Sequence, residues 1–281
     1  MIKTRHALAA MAMLVAIFSH AAIPATYTKK DSAEVVRLLA KKHKSCLGYA
    51  KEFLGKPYVA HTLECNNKEQ LVVNLRELDC TTLVETAAAL YLTSKNGGRT
   101  FDDYCRTLCA IRYRNGIIAG YPSRLHYFSE WIDDNCRMGI AEDVGAECEF
   151  PFTAHQKINV HFMSDNPNLY KQLRGSKSTQ AEIRKNENAI NGKIVCYIPK
   201  KLLNLGKKSL TAVRDGDIIA LVTSKNGLDI SHVGIAAWKN NRLHLLNASS
   251  LKHKVILDSQ SLYEYQNKRG SQLGIRVIRL R

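Results

Sequence analysis

Residues 78–86 read Leu-Asp-Cys-Thr-Thr-Leu-Val-Glu-Thr. This stretch predicts the start of a helix over residues 81–92, because apolar residues recur there at helical spacing. Asp79 can cap the helix, which puts Cys80 at its first position. A helix N-terminus stabilises a thiolate through the helix dipole and unpaired backbone N–H groups, and the same groups can hold an oxyanion. We therefore interpret Cys80 as a nucleophile rather than a small buried thiol.

Two polar residues on predicted C-terminal strands complete a candidate catalytic set. His232 begins one strand, and Asn247 ends the next. A cysteine hydrolase uses a thiol nucleophile, an imidazole base and a third polar group that orients the imidazole. His244 is the rival of Asn247, and at most one of them can serve because strand positions three apart face opposite sides. We prefer Asn247.

The spacing of apolar residues divides the chain into a helical first half and a strand-rich end. Helices are predicted over residues 31–54, 81–92, 101–113 and 129–135. Short β-branched segments with turn residues between them predict an antiparallel sheet, over residues 217–222, 232–238, 243–248, 255–257 and 275–280. Residues 140–212 are rich in Lys, Asn and Glu and are interpreted as an insertion or cap. The predicted fold class is therefore α+β.

The first residues predict export. Lys3 and Arg5 precede an apolar run over residues 7–18, which is too short to span a bilayer and typical of a signal peptide. Small residues up to Ala21 fit a cleavage site, so that residues 1–21 are the signal peptide and residues 22–281 one domain. A buried N-terminal helix is the alternative, and the basic flank and small residues fit it less well. We expect an exported, soluble, monomeric protein without a membrane anchor, periplasmic if the source is a Gram-negative bacterium.

The net charge indicates which macromolecules the protein can bind, and the cysteine spacing indicates whether it binds a metal. The chain has 41 lysine and arginine residues against 25 aspartate and glutamate residues, a formal charge of +16, which attracts polyanions. Export and the lack of an aromatic–basic stacking motif argue against nucleic acid. The carboxylate-rich peptides and polymers of a bacterial wall match better, although solubility alone would explain the charge equally well. The eight cysteines include no Cys-x-x-Cys pair, and we predict no metal and no organic cofactor.

Several motifs resemble, in the same order, those of the NlpC-type papain-like cell-wall peptidases. They are Gly-Lys-Pro-Tyr-Val at 55–59, Leu-Asp-Cys-Thr at 78–81, Ser-His-Val-Gly-Ile at 231–235 and Leu-Asn-Ala-Ser at 246–249. Residues 62–64, 78–86 and 123–132 further resemble the N-acetylmuramoyl-L-alanine amidase-like branch of that superfamily. The motifs cover most of the chain after the signal peptide, and they do not match residues 140–212.

The resemblance implies a papain-like cysteine hydrolase fold, in which a helical N-terminal half packs on the C-terminal antiparallel sheet. It implies a catalytic set of Cys80, His232 and Asn247, with Tyr58 beside the thiol to position the carbonyl or its oxyanion. It also implies hydrolysis of the amide between the muramoyl lactyl group and L-alanine, with a preference for 1,6-anhydro-muramoyl peptides. His61 departs from the small residue that the family pattern has at this place.

A second set of residues is predicted to bind the muropeptide substrate. Arg124 can clamp a carboxylate bidentately. Tyr127 and Trp131 can pack on a sugar ring and His126 can donate to its hydroxyls, whereas an ordinary aromatic core helix is the alternative for Trp131. Asp79 could equally serve only as the helix cap. The full set is Glu64, Asp79, Arg124, His126, Tyr127, Trp131 and Ser231.

Two other functions remain open. One is an endopeptidase that cuts the γ-D-glutamyl–diamino-acid bond of murein peptides, and the residues around Arg124 argue against it. The other is a wall-binding protein with a catalytically silent site. The complete set of Cys80, His232 and Asn247 argues against this second alternative.

Overall fold

The computed structural model describes residues 23–281, and the predicted signal peptide lies outside the described residues. The helices are α1 (Lys29–Ala40), α2 (Cys46–Lys51), α3 (Cys80–Lys95), α4 (Phe101–Arg112), α5 (Phe128–Arg137), α6 (Phe162–Asp165), α7 (Lys177–Ile190) and α8 (Leu262–Asn267). The strands are β1 (Ala25–Thr26), β2 (Leu71–Val72), β3 (Ala141–Asp143), β4 (Ala154–Lys157), β5 (Ile194–Pro199), β6 (Ile218–Thr223), β7 (Ile230–Lys239), β8 (Arg242–Ser249), β9 (Lys254–Leu257) and β10 (Gln272–Leu280).

The main sheet has the strand order β4-β5-β10-β6-β7-β8-β9, and β3 also pairs with β10. Every pairing in it is antiparallel. Strands β6 to β9 form a meander, and β10 returns along the other side of β6. A short parallel pair, β1 with β2, lies apart from it. The predicted α+β class and the antiparallel sheet are confirmed.

Helix α3 lies at the centre of the helical half. It is buried almost continuously from Thr82 to Thr93 and packs against α2, α4, β7 and β8. A helix that is buried on every side is typical of the interior of a protein. The helix predicted over residues 81–92 is confirmed, and its C-cap Asn96 is followed by Gly97, whose φ of +82° is a conformation that glycine adopts easily.

The single helix predicted over residues 31–54 is wrong. The chain leaves α1 after Ala40, and Lys42 has a φ of +50°. Ser45 then caps a second helix, because its hydroxyl accepts a hydrogen bond from the Gly48 N–H at 3.2 Å. The apolar spacing could not reveal this break, since both helices bury their apolar residues in the same core.

Residues 140–212 are only partly a separate element. Strands β3 and β5 both pair with β10, so these parts of the segment belong to the main sheet. Helices α6 and α7 pack on a smaller apolar cluster of their own, which Tyr121 and Tyr127 join from the helical half. Only this remainder corresponds to the predicted insertion or cap.

A disulfide links Cys148 to Cys196 on β5, with a Cα–Cα distance of 5.3 Å. It joins the loop before β4 to the main sheet. Within residues 23–281, no helix is both long enough and apolar enough to cross a membrane.

A buried ion pair joins the two central helices. Arg112 of α4 donates from Nε to Glu85 Oε2 of α3 at 2.7 Å, and from Nη1 to the Val72 carbonyl at 2.7 Å. Both side chains are 2% exposed. Removing one member of such a pair leaves the other charge buried and uncompensated, which costs much more than losing a surface pair.

We expect Arg112→Met to lower the free energy of unfolding by about 3–5 kcal/mol, because Glu85 loses its partner inside the core. The matched control is Arg37→Met, which removes a half-exposed arginine from its pair with Glu34 and should change stability little. Urea unfolding followed by circular dichroism measures both. Equal losses would contradict the assignment of Arg112 and Glu85 as a buried structural pair.

Candidate active site

Cys80 is the first residue of α3, and its side chain is half-buried. Asp79 caps the helix, since its Oδ1 accepts from the Thr82 N–H at 2.8 Å while its own N–H donates to Thr82 Oγ1 at 2.8 Å. This reciprocal capping box fixes the backbone on either side of the sulfur. Asp79 is therefore a helix cap, and a contact of its carboxylate with substrate stays a prediction.

His232 lies on β7, and its Nε2 donates to Asn247 Oδ1 on β8 at 3.0 Å. Continuing the register of these two strands places Gly234 opposite Asn247. The missing side chain at Gly234 leaves room for the imidazole to reach diagonally across to the amide. An added Cβ at Gly234 would lie 2.7 Å from the Leu246 carbonyl oxygen, so a larger residue does not fit there.

The Cys80 thiol contacts the His232 imidazole. Burial by itself lowers the pKa of His232, but the charge of Cys80 and the hydrogen bonds that the imidazole donates to Cys80 and Asn247 outweigh it and raise this pKa above its ordinary value. Because Nε2 is occupied by Asn247, Nδ1 is the nitrogen left to exchange a proton with sulfur. This arrangement allows a proton to pass between the two side chains.

The rival residue His244 faces away from this group. Its Nδ1 bonds the Asp258 carbonyl oxygen at 3.0 Å, and the side chain is 7% exposed. Of the two candidates for the orienting residue, Asn247 alone contacts His232.

A bulge in β7 immediately precedes the histidine. Leu221 pairs with His232, whereas Val222 pairs with Ile230, so Ser231 is an extra residue in the strand. The Ser231 hydroxyl donates to the Leu221 carbonyl at 3.3 Å. Bulges of this kind redirect a neighbouring side chain, and this one sets the direction of the imidazole.

A cavity of about 220 Å³ opens in front of the thiol and the imidazole. Its wall comes from the start of α3, from the loop before α5, from α6 and the turn after it, and from the start of β7. The lining residues are Cys80, Thr81, Leu125, His126, Tyr127, Phe128, Phe162, Met163, Tyr170, Leu228, Asp229, Ile230, Ser231, His232 and Val233.

Tyr58 lies beside the thiol without lining this cavity. It forms an isolated parallel bridge with Leu78, two residues before Cys80. Burial raises the pKa of Tyr58, and the neighbouring Cys80 and Asp79 raise it further. The phenol is therefore a neutral hydrogen-bond donor at neutral pH, as a group near an oxyanion needs to be.

Arg124 is enclosed by acidic partners. Its Nη2 donates to Glu64 Oε1 at 2.7 Å, its Nε lies 3.3 Å from Glu69 Oε1, and its side chain is 7% exposed. The prediction that Arg124 clamps a substrate carboxylate is wrong for this arrangement, because Glu64 and Glu69 already neutralise it. Glu64 itself is paired here and lies next to a separate surface cleft rather than at the thiol.

The prediction that Trp131 packs on a sugar ring is also wrong. Trp131 is fully buried and stacks on Phe128 with ring centroids 5.0 Å apart, so it cannot pack on a sugar. His126 and Tyr127 do line the cavity. Burial lowers the pKa of His126 to about 3, and its Nε2 donates to the Tyr121 carbonyl at 2.9 Å, so the ring is neutral.

Sequence reasoning missed Phe162, Met163, Tyr170 and Asp229, which also line the cavity. The first three come from the segment that the sequence pattern could not resolve. Asp229 directly precedes the Ile-Ser-His motif, and this adjacency was the available signal. The Asp229 carboxylate accepts from the Ser129 N–H at 2.7 Å and is 2% exposed.

One group of three potential metal ligands occurs within residues 23–281, formed by Cys148, His155 and Cys196. Two of its three sulfur and nitrogen donors are the sulfurs of the disulfide. This group does not include a residue of the Cys80 cavity.

Comparison with known proteins places the chain in a family. The family model described as N-acetylmuramoyl-L-alanine amidase-like matches residues 49–275. The chain belongs to this N-acetylmuramoyl-L-alanine amidase-like family, and the resemblance drawn from the motifs is confirmed at this level.

Among similar solved structures, one named as an amidase agrees with this assignment. An N-acetylmuramoyl-L-alanine amidase from Bacteroides uniformis is 39% identical with a TM-score of 0.79, and the match covers 86% of this chain and 99% of that one. A protein from Bacteroides fragilis named as a candidate xylanase is 43% identical with a TM-score of 0.78, covering 83% and 100% of the two chains. A Legionella pneumophila protein at 20% identity and a TM-score of 0.66 shares the fold over 90% and 95% of the chains. The curated proteins contain no match.

We expect Asn247→Ala to move the alkaline limb of the pH profile of kcat/KM to lower pH. The Asn247 hydrogen bond helps to raise the pKa of His232, so its loss lets the imidazolium deprotonate earlier as pH rises. Loss of ring orientation should also lower kcat about a hundredfold. His244→Asn, a change on the same strand outside the site, should leave the limb in place. An unshifted limb in Asn247→Ala would contradict this role.

We expect Asp79→Ala to lower the free energy of unfolding by about 1 kcal/mol, because the Thr82 N–H loses its acceptor. Asp79→Asn keeps an acceptor oxygen and should keep both stability and turnover. Thermal unfolding and steady-state kinetics measure the two properties. If Asp79→Asn is stable but inactive, the carboxylate contacts substrate and the cap is only part of its role.

Proposed function

We propose that this protein is a cysteine-dependent N-acetylmuramoyl-L-alanine amidase with a papain-like catalytic arrangement. The contact of Cys80 with His232, together with the 3.0 Å bond from His232 to Asn247 at the mouth of a cavity, carries the proposal. Family membership supplies the cell-wall amide as the class of bond.

In the first step His232 takes the thiol proton through Nδ1, and the Cys80 thiolate attacks the lactyl carbonyl carbon. Backbone N–H groups at the start of α3 hold the oxyanion, with the Tyr58 hydroxyl as a second donor. The tetrahedral intermediate collapses, the C–N bond breaks, and the imidazolium protonates the departing alanine amine. A thioester remains on Cys80.

In the second step a water molecule attacks the thioester carbonyl and gives a proton to His232. The C–S bond breaks, the proton returns to sulfur, and the muramoyl carboxylic acid leaves. Asn247 keeps the imidazole in one orientation throughout. The cycle uses no metal and no organic cofactor.

The substrate we propose is a soluble muropeptide, with 1,6-anhydro-muramoyl peptides preferred. We further propose that residues 1–21 direct export to the periplasm and that the remaining chain acts as one monomeric domain. The basic surplus of the chain suits the carboxylates of wall fragments.

Two observations weigh against other enzymes. A glycosidase such as a xylanase requires a pair of carboxylates about 5–10 Å apart. The described lining of the cavity has one, Asp229. A γ-D-glutamyl endopeptidase would have to place the α-carboxylate of D-glutamate on its acyl side, and the same lining supplies no lysine or arginine.

We expect Cys80→Ala to lower release of stem peptide from anhydro-muramoyl peptide by at least about a thousandfold. Cys65→Ala, which removes an exposed free thiol, should be fully active. Treatment with a chelator should change neither protein. Mass spectrometry of the products distinguishes free anhydro-sugar from anhydro-sugar that still carries the L-Ala–D-Glu dipeptide, and the second product would indicate the endopeptidase. Undiminished turnover by Cys80→Ala would refute the nucleophile.

A further inference from the structure

The cavity in front of Cys80 is closed on one side by residues from α6 and the turn that follows it. We call Phe162, Met163 and Tyr170 the aromatic wall. We propose that the aromatic wall binds the sugar ring of the muramoyl group and thereby selects the acyl side of the scissile amide. This inference rests on the proposed amidase function and adds the residues that determine its specificity.

The charges around the cavity favour a neutral occupant. Of the described residues that line it, Asp229 is the one with a carboxylate, and none is a lysine or arginine. His126 is neutral, because burial lowers its pKa to about 3. A stem peptide carries several carboxylates, whereas the muramoyl group carries none once its lactyl carboxyl is part of the amide. The cavity therefore suits the sugar and disfavours the peptide.

A cation lies near the catalytic histidine but outside this cavity. Arg269 follows α8 and is close enough to His232 for its charge to act on the pKa of the imidazole. Arg269 packs over the Tyr265 ring, with its guanidinium carbon 3.8 Å from the ring centroid. This positive charge lies outside the cavity lining, which agrees with the neutral sugar, rather than the charged peptide, occupying the cavity.

The aromatic wall is held in place by a buried polar clamp. The Tyr127 hydroxyl donates to Glu187 Oε1 at 2.8 Å and accepts from the Met163 N–H at 2.9 Å. The Ser164 N–H donates to the same Glu187 oxygen at 3.1 Å, and Glu187 is 1% exposed. Because α6 is anchored to both Tyr127 and α7, Phe162 and Met163 are positioned before substrate arrives and binding does not have to order them.

The size of the cavity sets what it can accept. Its volume of about 220 Å³ is below the roughly 300–1,000 Å³ of sites for drug-sized ligands. The three residues of the aromatic wall offer apolar surface to the C–H face of a ring, while Thr81, His126 and Ser231 line the same cavity with polar groups that suit its hydroxyls. A space of this size is of the order of a single saccharide ring.

The experiment compares two substrates that share one stem peptide. The first is an anhydro-muramoyl peptide, and the second carries the lactyl group on the same peptide without the sugar. We expect Phe162→Ala and Tyr170→Ala to lower kcat/KM about tenfold to a hundredfold on the first substrate, mainly through KM. On the second substrate they should change it less than about twofold, because the group that they contact is missing.

The control is Leu169→Ala, which removes a 65% exposed side chain beside Tyr170 that does not line the cavity. It should leave both substrates unaffected. Equal losses on the two substrates would mean that the wall serves the peptide or the fold, and would overturn the proposal. No loss on the muramoyl substrate would overturn it as well.

Binding separates this proposal from the proposed function. In the Cys80→Ala background, calorimetry should show that Phe162→Ala weakens binding of anhydro-muramoyl peptide about tenfold while binding of the sugar-free peptide is unchanged. Unchanged affinity for the muramoyl ligand would overturn the role of the wall even if the enzyme is active. Conversely, the unsubstituted protein could hydrolyse no muropeptide while Phe162→Ala still selectively weakens binding of the muramoyl ligand. That result would refute the amidase function and support the role of the aromatic wall in binding the sugar.

Discussion

The burial of α3 is the constraint on which the site depends. This helix carries the thiol at its first residue, and its next three turns are enclosed by helices on one side and by β7 and β8 on the other. A shift of the sulfur would therefore require a shift of the core. The capping box at Asp79 adds a local restraint, since it fixes the turn that leads into the helix. The position of Cys80 is thus set by packing that involves residues far from it in the chain.

The partner of the thiol is positioned by the sheet. Pairing of β7 with β8 brings His232 and Asn247 onto one face, and the missing side chain of Gly234 lets them meet. The bulge at Ser231 turns the imidazole at the start of the strand. The resulting hydrogen bond contributes to the raised pKa of His232, so the strand register acts directly on the protonation of the base.

The sequence predicted those features that depend on local patterns. Helix α3, its cap and the strands of the C-terminal sheet follow from apolar spacing and turn residues, and the His–Asn contact follows from their placement on neighbouring strands. Burial was harder to predict. Trp131 and Arg124 have the chemistry of binding residues, but long-range packing encloses one in the core and surrounds the other with Glu64 and Glu69. Phe162 and Tyr170 lie in a segment with weak periodicity, where no local signal indicates which cavity they reach.

The clamp formed by Tyr127 and Glu187 has a consequence for how such proteins diversify. The proposed catalytic residues belong to α3, β7 and β8, whereas α6 supplies one side of the cavity and is attached through these buried polar contacts and a small apolar cluster. Exchange of the α6–α7 segment between relatives can therefore alter which acyl group is accepted without disturbing the reacting atoms. In the proposed arrangement, catalysis and acyl-group selectivity reside on different stretches of one chain, so that natural variation and protein engineering can change selectivity at the same segment.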